Sequence, residues 1–474
     1  MLRARLTLVL GLVLLTAGIA GFATADRGLR TTSVHVGAIP VELVRSDGAA
    51  AAGAARPVVV VVHGYAGSGR LMRPFADTLA RRGYVVALPD LAGHGANPER
   101  LTEAALDRDL AAVVRYVRGL PDADPARVAL VGHSMGAAAV VRAGAADRSI
   151  AATVAISIGD DAAAAIRPGP RHLLAMYGAF EPSGIGSTTE ATGAERVVRV
   201  PLVEHIGVLF ADRTHHETAR WLDRALGHQP DRPVIAAKGR LVPGGLSLAG
   251  GLILLGALLS RRTGAAATPP DRERLGLRIG AVLVAPIPGE LAGVALAHAL
   301  PNTVTGYLTG YFAGCGAALV AAALLLRRPA ARLAWPARPS AAALARAGLL
   351  AAAAAAAVVL PVHLGLTDVA PHGPDWWVVA LLALAVAALL AGAHALLGTP
   401  WSYAAVIALC LPMPVASLAG VAPGFLALIS PLVMVLIGLH VAVCAGAGRP
   451  WWRTVLAGAL TVAWPVAVVL PVLG

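Results

Sequence analysis

The chain has 474 residues, of which 57% are hydrophobic and only 14% charged, which sets it apart from the usual soluble balance and leaves room for two or three domains. The net charge of +12 is carried almost wholly by arginine, Lys238 being the only lysine, and no basic stripe with interleaved aromatics accompanies it, which argues against nucleic acid as a partner. Cys315, Cys410 and Cys444 all lie in apolar runs, which argues against a disulfide framework.

The N-terminus carries Arg3 and Arg5 and then an uncharged apolar stretch to Ala25, ending in the small residues Ala23-Thr24-Ala25. This pattern is a signal peptide or a signal anchor over residues 1–25, and either places the next domain outside the cytoplasm. The runs Ser33–Val36 and Val41–Arg45 read as an opening hairpin. From Arg56 onward short β-branched runs alternate with amphipathic patterns, the mark of βαβ units and a parallel sheet. Strands are expected at Val58–Val62, Tyr84–Leu88, Arg127–Gly132, Ile150–Ile156, His172–Tyr177 and Arg196–Leu202, with helices over 70–82, 101–119, 135–146 and 214–226.

One motif stands where chemistry needs it. Gly132-His133-Ser134-Met135-Gly136 closes a strand and opens a helix, so the flanking glycines leave room for a strained turn that presents the Ser134 hydroxyl at the strand's C-terminal edge. No metal-ligand spacing such as H-E-x-x-H or C-x-x-C is present, nor a phosphate-binding G-x-x-x-x-G-K, so neither a metal nor another cofactor is expected.

The stretch from about residue 30 to 228 resembles the α/β-hydrolase superfamily, in its serine esterase, lipase or dienelactone-hydrolase-like branches. The run VVVVVHGYAGSG looks like that superfamily's strand and oxyanion loop, ALPDLAGHGAN is similar to its D-x-x-G-H-G segment, and VGHSMGA to its nucleophile elbow. The resemblance implies an α/β-hydrolase fold, a mostly parallel sheet flanked by helices. It makes Ser134 the nucleophile and the backbone N–H groups of Tyr65 and Met135 the oxyanion hole. Chain order then asks for an acid and a histidine after Ser134. His205, directly after the last expected strand, is the first candidate, with His215 and His216 as alternatives at a helix start. Glu181 occupies the usual position of the acid, and Asp160 with Asp161 is the alternative after the preceding strand. His63, His94 and His133 sit in family-like turns and read as structural, and Asp90 as a loop cap. Only about a dozen residues separate Ile158 from His172, too few for an inserted helical lid, so the site should be open.

From residue 241 onward only Asp271, Glu273, Glu290, Asp368 and Asp375 are acidic, and eight apolar segments are long enough to span about 30 Å of hydrocarbon. They run over 241–260, 279–299, 303–326, 345–365, 376–397, 402–421, 425–446 and 454–472. Arginines cluster only in alternate loops: Arg261, Arg262, Arg272, Arg274 and Arg278 after the first segment, Arg327, Arg328, Arg332, Arg338 and Arg346 after the third, Arg449 and Arg453 after the seventh. That asymmetry makes those loops cytoplasmic and residues 26–240 extracytoplasmic. Glu290, beside Pro286 and Pro288, is a candidate intramembrane site, with a protonated, hydrogen-bonded carboxyl as its structural alternative. Gly306, Gly310 and Gly314 predict close helix packing.

The domains are therefore 1–25 as signal segment, 26–235 as hydrolase and 236–474 as an all-α polytopic membrane domain. The expected activity is serine hydrolysis of an ester, from a small molecule, a lipid or an acylated envelope component, at the cell membrane. Acyl transfer by the same triad, and a transporter or scaffold with a non-catalytic hydrolase-like domain, are the competing readings.

Overall fold

A computed structural model describes residues 2–47, 55–230, 232–260, 274–300, 302–326, 340–373, 375–398, 401–444 and 451–471. Two compact units divide the chain. One comprises Ala17–Gly245 together with Val362–His372, the other Met1–Thr16, Leu246–Pro361 and Gly373–Leu470.

After helix α1 (Leu2–Asp26) the first unit is built on eight strands: β1 (Leu29–Val36), β2 (Ile39–Ser46), β3 (Arg56–Val62), β4 (Val85–Pro89), β5 (Ala123–His133), β6 (Ala152–Ile156), β7 (Leu173–Gly178) and β8 (Arg196–Val200). Their order in the sheet is β1-β2-β4-β3-β5-β6-β7-β8. The β1–β2 hairpin and the β2–β4 pairing are antiparallel and every later pairing is parallel. Helices α2 (Arg73–Arg81), α3 (Glu103–Arg118), α4 (Met135–Ala146), α5 (Asp161–Ala164), α6 (Ser183–Glu190) and α7 (Asp212–Ala225) complete it. This is the α/β-hydrolase fold.

The five valines of β3 are fully buried because the sheet is covered on both faces. Strand alternation sends Val59 and Val61 into one apolar cluster with Phe75 and Leu79 of α2, and Val58, Val60 and Val62 into the other with Leu106, Leu110, Val113 and Val117 of α3. Those four α3 residues fall at helical spacing, and burying each such side chain contributes about 1.5–3 kcal/mol. Thr102 caps α3 by accepting the Ala105 N–H at 3.1 Å.

The chain leaves β3 for β4 on one side and later returns to β5 on the other, so the topological switch point lies at the C-terminal ends of β3 and β5. Val62 pairs with Gly132 there, setting the loop after β3 beside Ser134.

The second unit is all helical: α8 (Leu241–Ser260), α9 (Leu275–Val284), α10 (Pro286–Ala297), α11 (Thr303–Leu325), α12 (Ala341–Gly365), α13 (Asp375–Leu397), α14 (Trp401–Leu409), α15 (Pro412–Leu418), α16 (Leu426–Cys444) and α17 (Trp451–Val469), with the ends of α8 and α12 belonging to the first unit. Two expected spans are each a pair of helices. The segment over 279–299 breaks at Ala285, where Pro286 opens α10, and the segment over 402–421 breaks before Pro412; proline has no N–H for the ladder. Seven helical stretches among the described residues, two of them these pairs, are long and apolar enough to cross a membrane: Arg5–Asp26, Leu275–Ala297, Thr303–Leu325, Ala341–Gly365, Asp375–Leu397, Trp401–Leu418 and Trp452–Val469. The apolar helices Leu241–Ala257 and Leu426–Val441 are shorter. Most arginines of the expected cytoplasmic loops, among them Arg261, Arg262, Arg272, Arg327, Arg328, Arg332, Arg338 and Arg449, lie outside the described residues.

α10 and α11 pack backbone to backbone. A Cβ on Gly306, Gly310 or Gly314 would come within 2.3, 2.2 and 2.5 Å of the carbonyls of Leu296, Ala292 and Pro288. Glu290 of α10 accepts a hydrogen bond from the Tyr307 hydroxyl of α11, the partner the sequence did not single out.

Candidate active site at the switch point of the sheet

Ser134 follows β5 at φ 54°, ψ −117°, a left-handed conformation that costs a non-glycine residue of order 1–3 kcal/mol. The neighbours leave no alternative path. A Cβ on Gly132 would stand 2.2 Å from the Gly136 carbonyl oxygen, and one on Gly136 2.4 Å from that of His63. The Ser134 N–H donates to Ile156 O at 2.8 Å, which ties the turn to the end of β6.

A continuous chain of hydrogen bonds starts at this serine. Ser134 Oγ lies 3.0 Å from His205 Nε2, and His205 Nδ1 lies 3.0 Å from Glu181 Oε2. The Glu181 side chain is fully buried, and its other oxygen accepts Ser157 Oγ–H at 2.6 Å and Gly178 N–H at 2.7 Å. With Oε1 occupied by two donors, Oε2 is left to accept the His205 Nδ1–H, which sets Nε2 as the acceptor facing Ser134. His133 adds a second restraint, its Nε2–H donating to the His205 carbonyl at 2.9 Å. Ser157 and His133 were not assigned these roles from sequence. Ser157, at φ 59°, follows β6 as Ser134 follows β5, and only the sheet order brings the two strand ends together.

The remaining candidates go elsewhere. His215 is buried, its Nε2 bonded to Leu209 O at 2.8 Å and its Nδ1 3.0 Å from Thr78 Oγ1, and His216 bonds Asp212 O within its own helix. Asp160 caps α5 by accepting Ala163 N–H at 3.1 Å and lies 3.5 Å from Arg142; its neighbour Asp161 accepts from Thr188. Asp90 accepts N–H groups from Gly69 and Ala96 at 2.8 and 3.0 Å, as a loop cap does.

Met135 heads α4, so its N–H is among those a helix leaves without an intrahelical acceptor. Tyr65 lies in the loop after β3, where the next residue, Ala66, has φ 58°. Gly64 lets this loop approach the elbow, since a Cβ there would meet Ser134 Cβ at 3.0 Å. A cleft of about 420 Å³ opens beside Ser134, with Leu101, Leu106, Met135 and Ala138 as apolar lining and Glu103, Arg142 and Asp160 as charged lining. Between β6 and β7 the only helix is the four-residue α5, so no inserted lid stands there.

Three buried imidazoles beside the site, His63, His94 and His133, are neutral at pH 7. Burial pushes His63 down to about 4 and His94 to about 3, and holds His133 well below the usual imidazole value, with the nearby His205 charge adding to it. Stacked on Phe75 of α2, His215 is taken down to about 4 by burial. A depressed folded value means that the unfolded chain binds more protons between about pH 6.5 and 4, so stability is fully present above 6.5 and is lost as pH falls through the folded values. Asp90, which burial raises to about 6, and Asp109, also raised by burial, act in the opposite sense, two groups against four. The melting temperature of the hydrolase unit in the full chain is therefore expected to fall steadily from pH 7 to 4.5 in scanning calorimetry. A flat profile would contradict the neutral assignment.

With fold and site in view, this part of the chain has the architecture of an α/β hydrolase. Residues 53–183 match the family model described as serine aminopeptidase, S33. An uncharacterized protein of Mycobacterium tuberculosis is 39% identical over 89 residues, 19% of this chain and 32% of the relative. A thermostable monoacylglycerol lipase of a Bacillus species is 49% identical over 41 residues, 9% of this chain and 16% of the lipase. The matches thus span a third or less of these curated relatives. Among solved structures, a dienelactone hydrolase from Anabaena variabilis is 20% identical and is covered over 100% of its length by 42% of this chain, with a TM-score of 0.37.

Proposed function

We propose that the protein is a membrane-bound serine hydrolase that cleaves a carboxylic ester through an acyl-enzyme, with Ser134 as nucleophile, His205 as general base and acid, and Glu181 as the carboxylate that orients it. The observation that carries this reading is the unbroken Ser134–His205–Glu181 hydrogen-bond chain, with both links at 3.0 Å, on a turn strained to φ 54°. His205 Nε2 takes the Ser134 proton as Oγ attacks the ester carbonyl, and the N–H groups of Met135 and Tyr65 hold the oxyanion. Collapse of the tetrahedral intermediate expels the alcohol, which leaves with the proton from Nε2. Water, deprotonated by the same nitrogen, then attacks the acyl-serine and releases the acid.

The seven apolar helices support a membrane location, and the arginine asymmetry of the loops supports an extracytoplasmic hydrolase domain. Residues 366–372, in a loop that the same asymmetry puts outside, belong to one compact unit with the hydrolase sheet, which supports that side. The apolar side chains of Leu101, Leu106, Met135 and Ala138 in the cleft beside Ser134 and the lack of an inserted lid between β6 and β7 support an acyl chain as part of the substrate.

The test is turnover by the full-length protein in nanodiscs, on p-nitrophenyl esters of two to sixteen carbons and on monoacyl and diacyl lipids. Release of free acid from an ester series, absent in Ser134→Ala, is the expected result. Absence of turnover on every ester would contradict it.

A further inference from the structure

The loop after β3 is anchored at both ends. At its start the Gly64 carbonyl accepts His63 Nδ1–H at 2.9 Å and Gly67 N–H at 3.1 Å. At its end Gly69 N–H donates to Asp90 Oδ1. Ser68, 1% exposed, has a hydroxyl that neither anchor uses. Its partners lie 299 and 300 residues further along the chain: Ser68 Oγ is 3.1 Å from Thr367 Oγ1 and accepts Asp368 N–H at 3.0 Å.

The segment that supplies these groups is itself built. Thr367 is 6% exposed and Val369 fully buried, while Leu366 packs against the apolar cluster of α2 and β3. The Asp368 carboxylate accepts Ala370 N–H at 2.8 Å and lies 3.1 Å from His363 Nδ1, which stiffens the turn that offers the Asp368 N–H. Val362–His372 belongs to the hydrolase unit although it joins α12 to α13.

Between the anchors stand Tyr65 and Ala66, the latter held in the left-handed region. A donor on such a loop is only as well placed as the loop's fixed points, and an oxyanion hole acts through donors already in place before the reaction.

We infer that Thr367 and Asp368, acting through the Ser68 hydroxyl, are positioning residues for the oxyanion loop, so that a segment remote in sequence but part of the same compact unit completes the hydrolase site. The inference rests on the hydrolase reading above. Deleting an oxyanion donor costs about 10²–10³-fold in kcat; displacing one by a fraction of an ångström costs less, on the order of 10-fold.

The experiment uses the full chain in nanodiscs, with wild type, Ser134→Ala, Ser68→Ala, Thr367→Val and Thr367→Ser assayed on one short ester. Rates are normalised to sites titrated to completion with a fluorophosphonate. Ser68→Ala and Thr367→Val are expected to lose about 10-fold in kcat with KM within two-fold. Their Ki for a trifluoromethyl ketone, whose adduct carries the oxyanion, is expected to rise by the same factor, and Thr367→Ser to keep wild-type values. Thr367→Val retains the side-chain shape, so it reports even where Ser68→Ala fails to fold. Wild-type kcat per titrated site in both hydroxyl-deleting variants, or a loss seen only in melting temperature, overturns the inference while leaving the hydrolase reading intact. A wild type with no Ser134-dependent turnover overturns both.

Discussion

Replacement of Ser134 by alanine is expected to lower kcat/KM for an ester by about 10⁴–10⁶-fold while leaving the fold in place. The size follows from what the hydroxyl does. In the proposed mechanism it is the atom that becomes acylated, and His205 Nε2, which takes its proton, lies 3.0 Å away. What survives is turnover by water in a site that retains the N–H groups of Met135 and Tyr65, and such residual catalysis is small. Stability should change little or rise, because the elbow is imposed by the close packing at Gly132 and Gly136 and not by the serine side chain. The check is steady-state kinetics of purified wild type and variant at matched melting temperature. A variant with more than about one per cent of wild-type activity would remove Ser134 from the mechanism.

The second large effect belongs to Glu181→Gln, expected to cost about 10³–10⁴-fold in kcat at neutral pH. Glu181 is buried and accepts at both oxygens: from Ser157 Oγ–H and Gly178 N–H on one, from His205 Nδ1–H on the other. A glutamine keeps the shape but has a single acceptor end. With its oxygen turned to Ser157 and Gly178, the NH₂ faces Nδ1 and selects the tautomer that carries the proton on Nε2, which can no longer accept from Ser134. With the amide flipped, two buried donors meet an NH₂ group, at about 1–3 kcal/mol for each left unsatisfied. Asp160→Asn provides the contrast. That carboxylate caps a single-turn helix and faces Arg142, so its loss is expected to change kcat by no more than a few-fold. Equal losses in the two variants would return the choice of acid to the open state in which the sequence left it.

Much of this was legible in the sequence where a local rule decides. The valine run of β3 has to be a strand buried on both sides, and the observed Arg56–Val62 contains the expected Val58–Val62. Gly132 and Gly136 flag the elbow because no other residue fits so close to a neighbouring backbone. The helix α6 was not expected, since Ser183–Glu190 has two glycines, four hydroxyl residues and no apolar stripe. It is held by tertiary bonds, Thr188 to Asp161 and Thr189 to the Ile158 carbonyl. The restraints on Glu181 and His205 were invisible for a related reason. Ser157 and His133 come beside them only through the order of β5, β6 and β7 in the sheet, which one sequence does not state. The link from Ser68 to Thr367 spans nearly 300 residues and has no local pattern at all. Glu290 shows the limit from the other side: an acidic residue in an apolar segment is easy to find, but its partner Tyr307 depends on how α10 meets α11.

The central claim is that Ser134 is a nucleophile activated by His205. Its most direct test is to treat the full-length protein with a fluorophosphonate and map the adduct by mass spectrometry of the digested chain. The account predicts one phosphonylated residue, Ser134, with labelling abolished in His205→Ala at neutral pH. No adduct on a folded wild-type protein, or an adduct at another serine that persists without His205, would contradict it.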